Sequence, residues 1–240
     1  MKSQERHHLK QNEFAVTTAR VAEVVMQNRD RWLMIAGAVV VVGAIAGGYF
    51  FMRGRAADKA SAAFGAALLV EGSQVVPAPT VPGAKQQAGT FPTETARNEA
   101  ALAAFKKVAD EYPNDETGRA ARYHLAGLHL RSGRAVEAER LFAEAGNNPG
   151  SSLYGPMSQL GRAQALSALG KFDDALKILT DLSGQRDSAL PIDGVLMELA
   201  RVSERAGKTQ DARAAYKRVV DEFTQSGYAG EARQRLAAIG

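Results

Sequence analysis

One glycine spacing governs what this chain can become: Gly133, Gly170 and Gly207 stand 37 residues apart. The same step joins Ala101, Ala138, Ala175 and Ala212, then Phe105, Phe142, Leu179 and Tyr216, then Val108, Ala145, Leu182 and Val219. Self-similarity at a fixed period of this size marks a repeat architecture. A glycine between two helix-forming stretches supplies the positive φ that ends one helix and turns the chain into the next. The alanine five residues on lets the second helix lie close to the first, and the aromatic or leucine four residues later fills the groove between them. Each period therefore predicts a helical hairpin. A lone hairpin cannot bury its apolar face, so neighbours stack into a solenoid with a groove.

A second feature precedes the repeats. Leu33 to Met52 is a run of 20 uncharged residues, nine of them Leu, Ile, Val or Phe. At about 1.5 Å per residue it reaches ~30 Å, the thickness of a bilayer's hydrocarbon core. Arg29, Arg31 and Trp32 stand before it and Arg53 and Arg55 after it, with Tyr49, Phe50 and Phe51 inside its far end. Interfacial aromatics and flanking cations are the marks of a transmembrane helix. Ala44-Ile45-Ala46 has the small-x-small pattern of a signal-peptide cleavage site, but the charged region before the run is about 32 residues long and the apolar run continues through Tyr49, Phe50, Phe51 and Met52 beyond the cut, which favours an uncleaved anchor. Lys2, Arg6 and Lys10 tilt the charge balance so that residues 1–32, partly helical from Phe14, form a cytoplasmic tail. The C-terminal domain is then periplasmic in a bacterium. Gly43 and Gly47 form a G-x-x-x-G pair, a face on which two such helices could approach as a homodimer.

The remaining domain, residues 53–240, reads as all-α. Outside Val39 to Val42 the chain has few β-branched runs and much alanine. Its first hairpin is interrupted: Ala57 to Glu71 and Thr93 to Glu111 read as helices, and residues 72–93 between them hold Pro77, Pro79, Pro82 and Pro92. This Pro-rich insertion predicts an exposed, partly disordered loop. A final helix over Tyr228 to Ala238 would cap the stack.

Chemistry-bearing groups do not converge. There are no cysteines, His124 and His129 lie about 140° apart on a helix, and no phosphate loop, nucleophile elbow or zinc motif occurs. Residues 1–32 carry six Lys/Arg and four Asp/Glu, which leaves 24 against 22 in the rest. That balance is too near neutral for a nucleic-acid surface. No catalytic residue, cofactor or metal is expected.

The repeat resembles the tetratricopeptide repeat. Ala126, Gly133, Ala138, Phe142, Ala145 and Pro149 carry the likeness in one unit, Ala163, Leu166, Gly170, Phe172, Ala175, Leu179 and Leu182 in the next, and Leu199, Ala200, Gly207, Ala212, Tyr216 and Val219 in a third. A degenerate earlier unit ends with Ala101, Phe105, Val108 and Pro113. The period is 37 rather than 34, the first-helix tryptophan is absent, and Arg162 stands where leucine is expected. The resemblance implies a right-handed α-solenoid of about four hairpins whose first helices turn Tyr123, Leu160 and Met197, with Gln164 and Arg201 one turn on, toward a peptide-binding groove. The whole layout resembles the bitopic ancillary subunit of the bacterial Sec translocon. It implies an inner-membrane protein whose partners are translocon subunits and periplasmic chaperones. A structural scaffold of an envelope machine is the alternative, and an enzyme is disfavoured.

Overall fold

A computed structural model of the chain describes residues 29–80, 83–147, 153–185 and 189–239. The helix expected to begin near Phe14, and Pro149, lie outside these residues. Two compact units are distinguished, the first ending at Ala57 and the second running from Asp58 to Gly240.

The described part of the first unit is helix. α1 spans Arg29–Glu71 without interruption, so the apolar run and the first repeat helix, which the sequence reading separated, form one element. Nothing between Met52 and Asp58 stops a helix: Gly54 costs only about 1 kcal/mol against alanine, and there is no proline. The large apolar side chains described between Leu33 and Met52 are 57% to 73% exposed.

In the second unit, α1 continues from Asp58 and buries Ala60 and Ala67. Hairpins follow: α2 (Glu94–Glu111), α3 (Glu116–Arg131), α4 (Ala135–Gly146), α5 (Tyr154–Ala168), α6 (Phe172–Ser183), α7 (Ile192–Arg205), α8 (Thr209–Glu222) and α9 (Ala229–Ala238). Each packs on its sequence neighbour, and α3 also touches α5. This is the expected solenoid of helical hairpins with a terminal capping helix. Thr93 opens α2 by accepting the Ala96 amide at 3.1 Å.

The three periodic glycines build the same turn. Their φ values are 74°, 75° and 71°. In each turn the amide after the glycine bonds back five residues: Arg134 to His129 O, Lys171 to Leu166 O and Lys208 to Ser203 O, all at 2.9 Å. The glycine's own amide bonds three residues back, to Leu130 O, Ser167 O or Glu204 O. This is the Schellman closure, which satisfies the carbonyls a helix end leaves open and demands a left-handed residue. The periodic alanines and bulky residues are all buried, and each fully buried large side chain contributes about 2 to 3 kcal/mol. They form successive clusters, one around Phe105 and Phe142, one around Leu179 and Leu182 and one around Met197 and Tyr216.

The proline-rich segment has an ordered base. β1 (Gln74–Val75) pairs in parallel with β2 (Thr90–Phe91), and the Val76 amide bonds Phe91 O at 2.9 Å. Gln86 Nε2 donates to Val76 O at 2.9 Å and to Thr90 Oγ1 at 2.8 Å. Pro77 and Pro79 stand exposed beyond this clasp.

Candidate protein-binding surface

The residues expected in the groove lie on successive first helices: Tyr123 on α3, Leu160 and Gln164 on α5, Met197 and Arg201 on α7. Their environments differ. Tyr123 is half-buried among rings, with its centroid 5.7 Å from Phe142 and 5.7 Å from Tyr154. Burial raises the phenol pKa of both Tyr123 and Tyr154, and the proximity of Tyr154 raises that of Tyr123 further. Both hydroxyls therefore remain hydrogen-bond donors at neutral pH. Leu160 is half-buried against the α5–α7 cluster, and Gln164 is half-buried.

Met197 lies in the core and not in the groove expected for it: it is 0% exposed, enclosed with Ala200, Ala212, Tyr216 and Ala232 of α7, α8 and α9. Arg201 is held beside it, with Nη2 2.8 Å from both carboxylate oxygens of Glu231. That bidentate pair fastens α9 to α7, and the Glu231 bond raises the Arg201 pKa.

Sequence reasoning missed a polar cluster at the first repeat. His124 Nδ1 donates to Glu71 Oε2 at 2.9 Å, and Arg131 Nη2 to Glu71 Oε1 at 2.6 Å. The imidazole stacks on Phe105 at 4.9 Å with 14° between planes and meets Phe64 edge-on at 5.5 Å. The His124 hydrogen bond, followed by Arg131, holds the Glu71 carboxyl below its ordinary range against the opposing effect of burial. Because Glu71 lies across the proline-rich segment from its partners, periodicity gives no signal for it.

Two grooves between the helices repeat one design. The first, about 420 Å³ in volume, lies between α2, α3 and α4 and is lined by Leu102, Leu125, His129, Arg134 and Leu141. The second, about 460 Å³, lies between α6, α7 and α8 and is lined by Leu176, Leu199, Ser203, Lys208 and Ala215. Each residue of the second stands two periods of 37 beyond its counterpart. His129 Nδ1 and Ser203 Oγ are buried without a hydrogen-bond partner among the described residues. At the intervening register the two leucines are replaced by Glu139 and Arg162, whose Oε1 and Nε are 2.7 Å apart. This ion pair explains the departure at Arg162: the leucine lost there is matched by a leucine lost across the interface.

Among the described residues no group of three His, Asp or Glu side chains is placed to hold a metal. Stacked helical hairpins with half-buried rings and leucines on their first helices define a repeat-type interaction module. The chain matches the tetratricopeptide repeat-like domain family over residues 27–240 and belongs to it. Such repeats are generally protein-interaction modules. No curated protein matches the chain. Among solved structures it resembles the nearly identical tetratricopeptide-like repeats of a candidate kinesin light chain from Podosopora anserina. The match has 18% identity and a TM-score of 0.51, covering 61% of this chain and 79% of that one. A single-residue variant of the same protein matches with the same identity and score and 78% of its own length covered. At this identity the likeness concerns the fold.

Proposed function

We propose that the chain is a membrane-anchored protein-binding module of the bacterial inner membrane. In this reading residues 33–52 cross the bilayer, the N-terminal tail is cytoplasmic, and the repeat domain works in the periplasm with the Sec translocon and periplasmic chaperones. The observation that carries it is the pairing, in one chain, of a tetratricopeptide-like domain with a helix long and apolar enough to cross a membrane and unburied along that stretch. An apolar face of that length in water is strongly unfavourable, and lipid is its natural cover. The groove is proposed to run over Tyr123, Leu160 and Gln164, to accept an extended or helical peptide with apolar side chains, and to use no cofactor. Gly43 and Gly47 have open space where a Cβ would stand, and close pairing of two spans there would form a homodimer.

The test is photo-crosslinking in intact cells from Leu160 or Gln164, which are partly accessible, with Met197 as the buried control. Translocon subunits or periplasmic chaperones trapped from the first two positions and not from the third are expected. Recovery of cell-division, secretion or outer-membrane assembly components alone would replace this reading with that of an envelope scaffold.

A further inference from the structure

Two arginines stand where the exposed apolar stretch of α1 ends, and both fold back along the helix. Arg53 Nη1 donates to the Tyr49 hydroxyl at 3.2 Å, and the guanidinium carbon of Arg55 lies 4.6 Å from the centre of the Phe51 ring. Helical side chains lean toward the N-terminus. Each cation is thereby carried about one turn, ~5 Å, back toward the apolar residues. Both arginines are exposed, and among the described residues neither has a carboxylate partner. A cation at the edge of hydrocarbon without a counter-charge is unfavourable. Both are braced by aromatic rings and find no carboxylate among the described residues, and at this end of a membrane span the abundant counter-charge is the lipid phosphate. Two positions apart on a helix is about 200°, so the guanidinium groups face opposite sides and address separate headgroups.

We propose that Arg53 and Arg55, each held by the aromatic residue one turn before it, form a two-sided site for the phosphodiester groups of anionic lipids around the C-terminal end of the span. The proposal rests on the membrane reading above. A guanidinium presents a planar fork of donors that matches two phosphate oxygens. An anionic lipid is favoured over a zwitterionic one because its phosphate brings no cation of its own to compete for the same oxygens.

The experiment uses the full chain in phosphatidylcholine vesicles containing a minority of phosphatidylglycerol. Spin-labelled versions of the two lipids report which is motionally restricted at the protein. The expected result is a preference for phosphatidylglycerol of about fivefold for each arginine site. It falls to near parity in the Arg53→Gln/Arg55→Gln variant and falls in part in Phe51→Leu, which keeps apolar bulk and removes the ring face. Equal association of the two lipids with the wild-type chain, or an unchanged preference in the double variant, overturns the proposal. Inorganic phosphate added at constant ionic strength should leave the preference intact; its abolition would assign the arginines to free phosphate and overturn the lipid site. Resistance to alkaline carbonate extraction, measured on the same vesicles, separates the two levels. A chain that is extracted defeats the membrane reading itself, whereas an inserted chain without lipid preference defeats the arginine site alone.

Discussion

A Cβ placed on Gly161 would stand 2.5 Å from the ring of Phe142. One period earlier the same register holds His124, which stacks on Phe105 at 4.9 Å; one period later it holds Glu198, opposite the smaller Leu179. Gly161 is thus a local answer to one phenylalanine and not a feature of the repeat. Gly161→Ala should destabilise the domain by about 1 to 3 kcal/mol, as overpacking of a fixed ring does, and a denaturant midpoint equal to that of the wild type would contradict this. Glu71 allows a pH experiment. Its folded carboxyl binds a proton less readily than in the unfolded chain, so its contacts stabilise the fold at neutral pH. That contribution is lost as pH falls through the lowered value. Melting temperatures of the wild type and Glu71→Gln should differ at pH 7, begin to draw together near the ordinary glutamate range of about pH 4 and meet once pH has passed below the lowered folded value; a gap that persists in strong acid would show that charge is not what holds the cluster.

Between helices, the Glu139 and Arg162 pair makes the sharpest forecast. Either residue changed alone to leucine leaves a partly buried charge facing an apolar neighbour, whereas both changed together restore the two leucines that the equivalent positions hold in the flanking grooves, Leu102 and Leu125 in one and Leu176 and Leu199 in the other. A double-mutant cycle should give a coupling of about 1 kcal/mol, with the double variant at least as stable as the wild type. Additive single effects would reject the pairing. The elements themselves were largely legible in the sequence, because a left-handed glycine and a buried alanine leave a periodic trace. The helix read over Thr93 to Glu111, the three glycine turns and the final helix all fall where the sequence places them, with Thr93 serving as the cap of α2. What spacing could not reveal depends on neighbours remote in sequence. The burial of Met197 needs the positions of α8 and α9, the Glu71 cluster bridges the proline-rich segment, and the clasp of β1 on β2 follows from Gln86 and Thr90 meeting across a loop. The unbroken run of α1 was hidden for a different reason: composition changes at Arg53 while backbone preference does not.

Across the repeat domain, stability should follow the succession of core clusters. α9 buries only Ala229 and Ala232, whereas α3 and α4 bury leucines together with Phe142. Terminal units of a solenoid rest on one neighbour only, so hydrogen exchange should be fastest in α9 and slowest in α3 and α4. Equal protection along the domain would mean that it opens as a single block. The mixed lining of its interfaces bears on how such a chain finds its order while folding. Similar hairpins can mistake one neighbour for another, and a wrong pairing buries nearly as much hydrocarbon as the right one. Arg162 set against Leu102 or Leu176 would lack its carboxylate, and Glu139 set against Leu125 or Leu199 would lack its cation. One ion pair placed in a single interface therefore penalises misdocked arrangements, and it limits how freely duplication and recombination could shuffle these units without stranding a charge.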